Sequence, residues 1–151
     1  MRKGFTLVEL LIVIMVIAIL IGIALPRFGG MRDEGNTTKA SAELRTLQAA
    51  VESWYMHRNP HTYPAAGGSW ETQLTTAIPQ ILGSVLYDPF GASATTQYRY
   101  AVSGAYYVIW SLGPNRTATI TGISNTGTVN PAGATGDDIF VSNGTPGSGG
   151  F

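Results

Sequence analysis

The sequence predicts an α+β protein in which one long N-terminal helix, a membrane anchor plus an amphipathic half, packs on a small antiparallel β-sheet head. An almost wholly apolar run, from Phe5 to Leu25, opens the chain. Residues 29–59 then place apolar side chains at helical spacing, and the last third is rich in aromatic and β-branched residues between turn signals. The apolar stripe of a helix must be buried against another element, and a small sheet provides that surface.

Composition narrows the classes of function. The 151 residues include 9 basic and 9 acidic side chains, so no basic field attracts nucleic acid, and we expect no nucleic-acid partner. The chain has no cysteine, which excludes a disulfide framework, a thiolate nucleophile and a metal held by thiolates. Its two histidines, His57 and His61, have no acid pattern around them, so we predict that the protein is not an enzyme.

The apolar run is long enough to cross a bilayer, because a helix rises about 1.5 Å per residue and the hydrocarbon core is about 30 Å thick. We expect a single-pass segment over residues 5–28, with the basic end at Arg2 and Lys3 held in the cytoplasm. A single charge, Glu9, interrupts this run. A charged side chain deep in a bilayer costs on the order of 3 kcal/mol, so Glu9 requires an explanation.

Three interpretations of this segment compete. A cleaved signal peptide is disfavoured because no small-residue cleavage site with polar flanks ends the run. An ordinary signal anchor explains the length but gives Glu9 no use. Cleavage between Gly4 and Phe5 gives Glu9 a partner, since the new α-amino group of one copy would pair with Glu9 of its neighbour. A buried polar group of this kind fixes the register of an assembly.

The stretch Lys3-Gly4-Phe5-Thr6-Leu7-Val8-Glu9 resembles the prepilin signal of type IV pilins and type II secretion pseudopilins. In that family a prepilin peptidase cuts after the glycine and methylates the new N-terminal phenylalanine, and the fifth mature residue is glutamate. The resemblance implies a leader peptide over residues 1–4, cleavage and methylation at Gly4 and Phe5, and an assembly role for Glu9.

Between the two halves of the helix, glycine and proline predict a kink or a local break from Gly22 to Gly30. Pro26 also falls where the resembled family usually has a helix-kinking proline. Beyond it, residues 29–59 are predicted to form an amphipathic helix that ends near Asn59. Its apolar stripe consists of Ala40, Leu44, Leu47, Val51 and Trp54.

Residues 60–151 are predicted to form a β-rich periplasmic head. A hairpin with its turn at Ser103-Gly104 has the strongest pattern, because aromatic and β-branched residues flank a short turn. The tail, residues 143–151, is rich in glycine and serine and is expected to be loose. The expected strands are Tyr98–Val102, Ala105–Trp110, Ala118–Thr121 and Ile139–Val141.

Several segments of the head resemble the major pseudopilin of type II secretion, in which the loop between the last strands binds calcium. The resemblance implies a calcium site formed by the carboxylates of Asp137 and Asp138 with Leu112 and Asn115 of the preceding turn. Asn115 stands where the family usually has aspartate, so ordinary solvated turn acids are the alternative. The resembling segments are Asp88-Pro89-Phe90-Gly91, Tyr98-Arg99-Tyr100, Ser111–Asn115 and Gly136-Asp137-Asp138-Ile139.

The resemblance implies a filament subunit. Its precursor would be held in the inner membrane with the head in the periplasm, cleaved by prepilin peptidase, and moved by an inner-membrane assembly platform into a helical homopolymer with minor pseudopilins. The pseudopilus of a type II secretion system is the favoured expectation. The alternatives are a surface type IV pilus for adhesion or motility, and a membrane-anchored binding domain that does not polymerise.

Overall fold

The computed structural model describes residues 4–131 and 136–149, apart from the side chains of residues 24–29 and 148. The chain divides into two compact units, Met1–Gly35 and Asn36–Phe151. Most of the predicted leader, residues 1–3, lies outside the described residues. The same holds for the last two positions of the predicted tail, residues 150–151.

Helix α1 comprises Leu7–Met56 and therefore begins in the first unit. It passes through Gly22 and Pro26 without interruption, so the local break expected there is absent, while the kink at Pro26 stays a prediction. A proline removes one backbone hydrogen bond, and the helix formers around it keep the remaining ones. Side chains from Leu7 to Ile23 are exposed in the single chain.

No helix in the described part of the chain is both long enough and apolar enough to cross a membrane. The expected membrane segment, residues 5–28, includes residues 24–28, whose side chains lie outside the description.

In the second unit, the apolar stripe of α1 forms the core as expected. Ala40, Leu44, Leu47 and Val51 are completely buried, and Trp54 is nearly so. They belong to one cluster with the aromatic residues of the sheet. The predicted amphipathic helix is thus confirmed over its packed half, and it ends at Met56, slightly before the expected position.

The head is built on a four-stranded antiparallel sheet in the order β1-β2-β5-β6, with a separate two-stranded ribbon, β3-β4. The predicted hairpin is confirmed, with Tyr100 opposite Ile109 and Val102 opposite Tyr107. A short helix, α2, covers Trp70–Thr75. The strands are Arg99–Ser103 (β1), Tyr106–Ser111 (β2), Gly122–Ile123 (β3), Val129–Asn130 (β4), Ile139–Ser142 (β5) and Ser148–Gly149 (β6).

Both faces of the four-stranded sheet are covered. Tyr107 and Ile109 of β2 belong to the core that includes α1, whereas Val108 and Trp110 pack with Ile123 and its neighbours in a second cluster. This arrangement explains why β2 and β5 are buried along almost their whole length instead of alternating. Of these two layers, only the packing of α1 on one face of the sheet was predicted from the sequence.

Two segments of the head differ from their predictions. The segment Ala118–Thr121 is not a strand, because the backbone N–H groups of Thr119 and Ile120 donate to the carboxylate of Asp138 instead of to a neighbouring strand. The tail expected to be loose, residues 143–151, instead supplies β6, which pairs with β5. A glycine is required in β6, since a Cβ at Gly149 would lie 2.4 Å from the ring of Phe140.

Candidate functional site

The predicted cleavage site lies in the segment that precedes α1. Gly4 and Phe5 are exposed, with 83% of the Phe5 surface accessible. A Cβ built on Gly4 meets no atom within 4 Å, so packing within the chain does not require glycine there. The peptide bond between the two residues is therefore accessible to an enzyme, and its glycine has no structural task in this chain.

Glu9 has a partner within its own helix. Its Oε2 accepts hydrogen bonds from the backbone N–H and the hydroxyl of Thr6, both at 2.9 Å, and the Glu9 N–H donates to Thr6 Oγ1 at 3.2 Å. This reciprocal pairing is a capping box, which satisfies the backbone donors at the start of a helix. Its signature, Thr-x-x-Glu directly before an apolar run, is present in the sequence, but the box was not predicted.

The turn and the acids predicted to bind calcium do come together. Asp137 Oδ2 accepts the N–H of Asn115 at 2.7 Å, and Asp138 Oδ2 accepts the N–H groups of Thr119 and Ile120 at 2.8 and 2.7 Å. Gly113, with φ of +68°, permits this approach, because a Cβ there would lie 2.1 Å from the Asp137 carbonyl oxygen. The carboxylates therefore tie the 113–120 segment to the start of β5.

Each of these two carboxylates has one oxygen that is available to bind a cation. Oδ1 of Asp137 and Oδ1 of Asp138 are buried and have no hydrogen-bond partner among the described residues. Burial raises the pKa of Asp138, and the N–H groups of Ile120 and Thr119 oppose that rise. A buried carboxylate oxygen without a donor is one that a cation would stabilise.

Two observations count against a metal site at these carboxylates. In the described ranges, no three histidine or acidic side chains are grouped so as to hold a metal. The Oδ1 atom of Asn115 already accepts the N–H of Thr117 at 2.6 Å, which leaves it one lone pair and no charge to offer an ion. The residues therefore fit calcium only if backbone carbonyls, such as that of Leu112, and water complete the six to eight oxygens that the ion prefers.

A third acid organises the same end of the sheet. Asp88 is buried, and its Oδ1 accepts the Phe90 N–H at 2.9 Å and the Ser111 hydroxyl at 2.6 Å. Its Oδ2 accepts the N–H of Leu112 at 3.1 Å. The Asp-Pro-Phe-Gly turn thus fixes the end of β2 and the start of the loop that faces Asp137. This structural role of Asp88 was not predicted from the sequence, in which the turn contributed only to the resemblance.

Acids of α1 also hold the sheet by hydrogen bonds. The hydroxyl of Tyr98 donates to Glu43 Oε2 at 2.6 Å, and that of Tyr107 donates to Glu52 Oε1 at 2.8 Å. Each carboxylate reaches a buried tyrosine that lies in β2 or directly before β1. The head is therefore fixed to this part of α1 by directional bonds as well as by apolar packing.

The N-terminal segment is similar to a family of known sequences. Residues 1–25 match the family model of the prokaryotic N-terminal methylation motif. The similarity to this family model is limited to the N-terminal segment. No solved structure matches the chain significantly.

The curated relatives fall into two groups. The type IV major alpha-pilin of Moraxella bovis is 46% identical over 52 residues, which are 34% of this chain and 33% of the relative. The major component of the narrow type IV pilus of Thermus thermophilus is 46% identical over 48 residues, 32% of this chain and 41% of the relative. The match to these pilins thus spans only about a third to two fifths of their length.

A longer but weaker similarity covers the head as well. The type II secretion system core protein G of Pectobacterium carotovorum is 25% identical over 126 residues, which are 76% of this chain and 77% of that protein. The chain is therefore similar to type IV pilins over 34% and 32% of its length and to a secretion protein over 76% of it.

Proposed function

We propose that the chain is a structural subunit of a pilin-like filament, most specifically of the pseudopilus of a type II secretion system. The observation that carries this proposal is the N-terminal methylation motif over residues 1–25, with Gly4-Phe5 at its processing junction and Glu9 in the first turn of α1. The similarity to core protein G, which extends through the head, favours the pseudopilus over a surface pilus.

Assembly would use the N-terminal half of α1. The precursor is held in the inner membrane by residues 5–28, with one pass and its head in the periplasm. Prepilin peptidase cuts after Gly4, and the amine of the new N-terminal Phe5 then pairs with Glu9 of a neighbouring copy. Both bonds from Thr6 go to Oε2 of Glu9, which leaves its Oε1 for that amine. The exposed apolar side chains of α1 pack against those of other copies.

The proposed partners follow from this role. They are other copies of the chain in a helical homopolymer, the membrane before assembly, prepilin peptidase, an inner-membrane assembly platform and minor pseudopilins. We propose a structural role without catalysis. In support, the Nδ1 atoms of His57 and His61 lie 2.7 and 2.9 Å from the carbonyl oxygens of Ser53 and Tyr55, an arrangement typical of structural histidines.

Calcium is part of the proposal as a structural ion. The Asp137 and Asp138 carboxylates would hold it with backbone oxygens of the Leu112–Asn115 turn, and the ion would neutralise the buried acids. The support is the pair of buried Oδ1 atoms without partners in the described part of the chain. Asn115 contributes no charge, so we expect weaker binding than an aspartate at that position would give.

The second candidate is a surface type IV pilus, favoured by the pilin relatives that match 34% and 32% of the chain at 46% identity. Deleting the gene in the native bacterium distinguishes the two. A pseudopilin deletion stops the release of secreted proteins into the medium and leaves sheared surface filaments unchanged. A pilin deletion removes the surface filaments and leaves secretion intact. If neither changes, the chain is an anchored domain that does not polymerise, and the proposal fails.

A further inference from the structure

A groove of about 770 Å³ lies on the head beside β1. β1 is the end strand of the four-stranded sheet, paired on one side with β2 only. The groove is lined by residues at the edge of the sheet, before and in α2, in β2 and in the irregular segment after β2. They are Gly67, Gly68, Trp70, Thr95, Gln97–Tyr100, Trp110, Ala118, Ile120 and Thr121. The volume is in the range of a ligand site, and the groove follows a strand edge.

The segment just before β1 already has partners at this edge, because Gln97 forms an antiparallel bridge with Tyr87 and α2 reaches Tyr98. The indole Nε1–H of Trp70 donates to the Tyr98 carbonyl at 2.9 Å, which caps this one backbone group just before β1 begins. Within β1 itself, no strand other than β2 is hydrogen-bonded to it among the described residues, although β3 lies close by, with Gly122 next to the side chain of Ala101. An end strand in this state offers a row of backbone donors and acceptors to another extended chain.

Two side chains that line the groove have polar atoms without partners. Trp110 is 5% exposed, and its Nε1–H has no acceptor among the described residues. The Oε1 atom of Gln97 is also buried and has no donor in the same part of the chain. Buried polar groups are nearly always hydrogen-bonded, so an unpaired donor and an unpaired acceptor beside one groove indicate a ligand that supplies both. A peptide backbone does so.

The charge that lines the groove predicts which side chain a bound ligand should carry. Arg99 is exposed, is the one charged residue that lines the groove, and has no acid beside it in the lining. Arg99 interacts electrostatically with Asp138, but that acid is buried and already accepts two backbone N–H groups. A guanidinium in this setting favours a carboxylate on the ligand.

We propose that this groove binds an extended segment of a partner protein by strand addition to β1, with an acidic side chain of that segment paired with Arg99. The peptide backbone bonds to the outer edge of β1, and one of its carbonyl groups accepts the Trp110 Nε1–H. This recognition site lies in the head and does not depend on the filament role.

The test uses the full chain in detergent micelles and the fluorescein-labelled peptide TVTDTVT, with fluorescence anisotropy as the measurement. We expect saturable binding, and roughly tenfold weaker binding when the central aspartate is replaced by asparagine or lysine. The Arg99→Gln variant should lose the same preference for aspartate. Arg58→Gln is the matched control, because Arg58 is exposed and lies outside the groove, and it should bind as the unchanged chain does.

A second measurement locates the peptide. In two-dimensional NMR spectra, the backbone amides of β1 and the Trp110 indole N–H should shift on binding, while the amides of β6 at the opposite edge should not. The indole signal is assigned by its loss in Trp110→Phe. Equal binding of the aspartate and lysine peptides would overturn the proposal. So would shifts confined to β6 or to α1, or a groove occupied by a second copy of the chain.

Discussion

Thr6 and Glu9 cap the start of α1 reciprocally, with the Glu9 carboxylate accepting both donors of Thr6 at 2.9 Å. Glu9 thus has a task in the single chain that does not require its charge, because glutamine also serves at this position of a capping box. The proposed assembly role, by contrast, requires the charge. These two tasks can be separated by substitution.

Three variants make this separation. Glu9→Gln keeps the cap and removes the charge, Glu9→Leu removes both, and Thr6→Val removes the hydroxyl of the cap, at a cost of about 1 kcal/mol to the helix start. We expect Glu9→Gln and Glu9→Leu to be processed but to assemble poorly, and Thr6→Val to assemble. The measurement is the fraction of processed subunits recovered in filaments. Normal filaments from Glu9→Leu would show that the carboxylate does not set the register.

The bonds between Tyr107 and Glu52, and between Tyr98 and Glu43, should contribute measurably to stability. A hydrogen bond to a charged group contributes about 1.5–3 kcal/mol, so Tyr107→Phe and Tyr98→Phe should each lower the free energy of unfolding by roughly that amount. The control is Tyr106→Phe at the neighbouring position of β2, since the Tyr106 hydroxyl makes no hydrogen bond within residues 4–131 and 136–149. Urea unfolding of the full chain measures all three. Losses equal to that of the control would assign the stability to apolar packing alone.

The parts of the fold that follow from local periodicity were predictable. The α1 stripe and the hairpin around Ser103-Gly104 depend on residues close in sequence, and both are confirmed. The roles of Asp88 and Asp138 were not predictable in this way, because their carboxylates bond backbone groups 18 to 24 positions away. Such bonds between distant segments replace strand pairing and leave no periodic pattern in the sequence.

The β3–β4 ribbon, on the face of the sheet opposite α1, was not predicted for a related reason. Strands β3 and β4 have only two residues each, which is too short for an alternating pattern to be detected. The continuous apolar run through Tyr107 to Trp110 was the available signal, since a strand buried on both faces does not alternate. At the N-terminus, the Thr6–Glu9 box was likewise visible but was interpreted only for its charge.

Stability of the head should depend on pH through Glu71. This side chain is fully buried, its Oε2 accepts the Leu86 N–H at 2.7 Å, and its Oε1 has no partner among the described residues. Burial raises the pKa of Glu71 from 4.5 to about 7, and the Glu43 carboxylate adds to the rise. The folded state therefore binds this proton more tightly than the unfolded state, so stability falls as pH rises from about 4.5 to 7.

The Glu71→Gln variant isolates this effect. It should flatten the fall in stability between pH 4.5 and 7 relative to the unchanged chain, in urea unfolding of the full chain at several pH values. The difference between the two chains removes the contribution of Asp138, whose pKa burial also raises. Parallel pH profiles would mean that Glu71 is ionised throughout this range.

Calcium should stabilise the head if the proposed site exists. An ion that binds only the folded state adds RT ln(1 + [L]/Kd), about 2.7 kcal/mol at a hundredfold excess over Kd. We expect a higher melting midpoint of the full chain in millimolar calcium than in chelator, and loss of that difference in Asp138→Ala or Asp137→Ala. Since Asp138 also bonds Thr119 and Ile120, the variants are compared with and without calcium. An unchanged midpoint in the unsubstituted chain would leave both acids as backbone acceptors only.

The central claim is that the chain is processed at Gly4-Phe5 and assembled into a filament. Intact-mass measurement of the chain recovered from filaments and membranes of the native bacterium tests it most directly. The predicted result is a mature chain that begins at N-methylated Phe5 and lacks Arg2 and Lys3, recovered with the filament fraction, and a Gly4→Val chain that stays unprocessed in the membrane. Recovery of the native chain with residues 1–4 still attached would contradict the account.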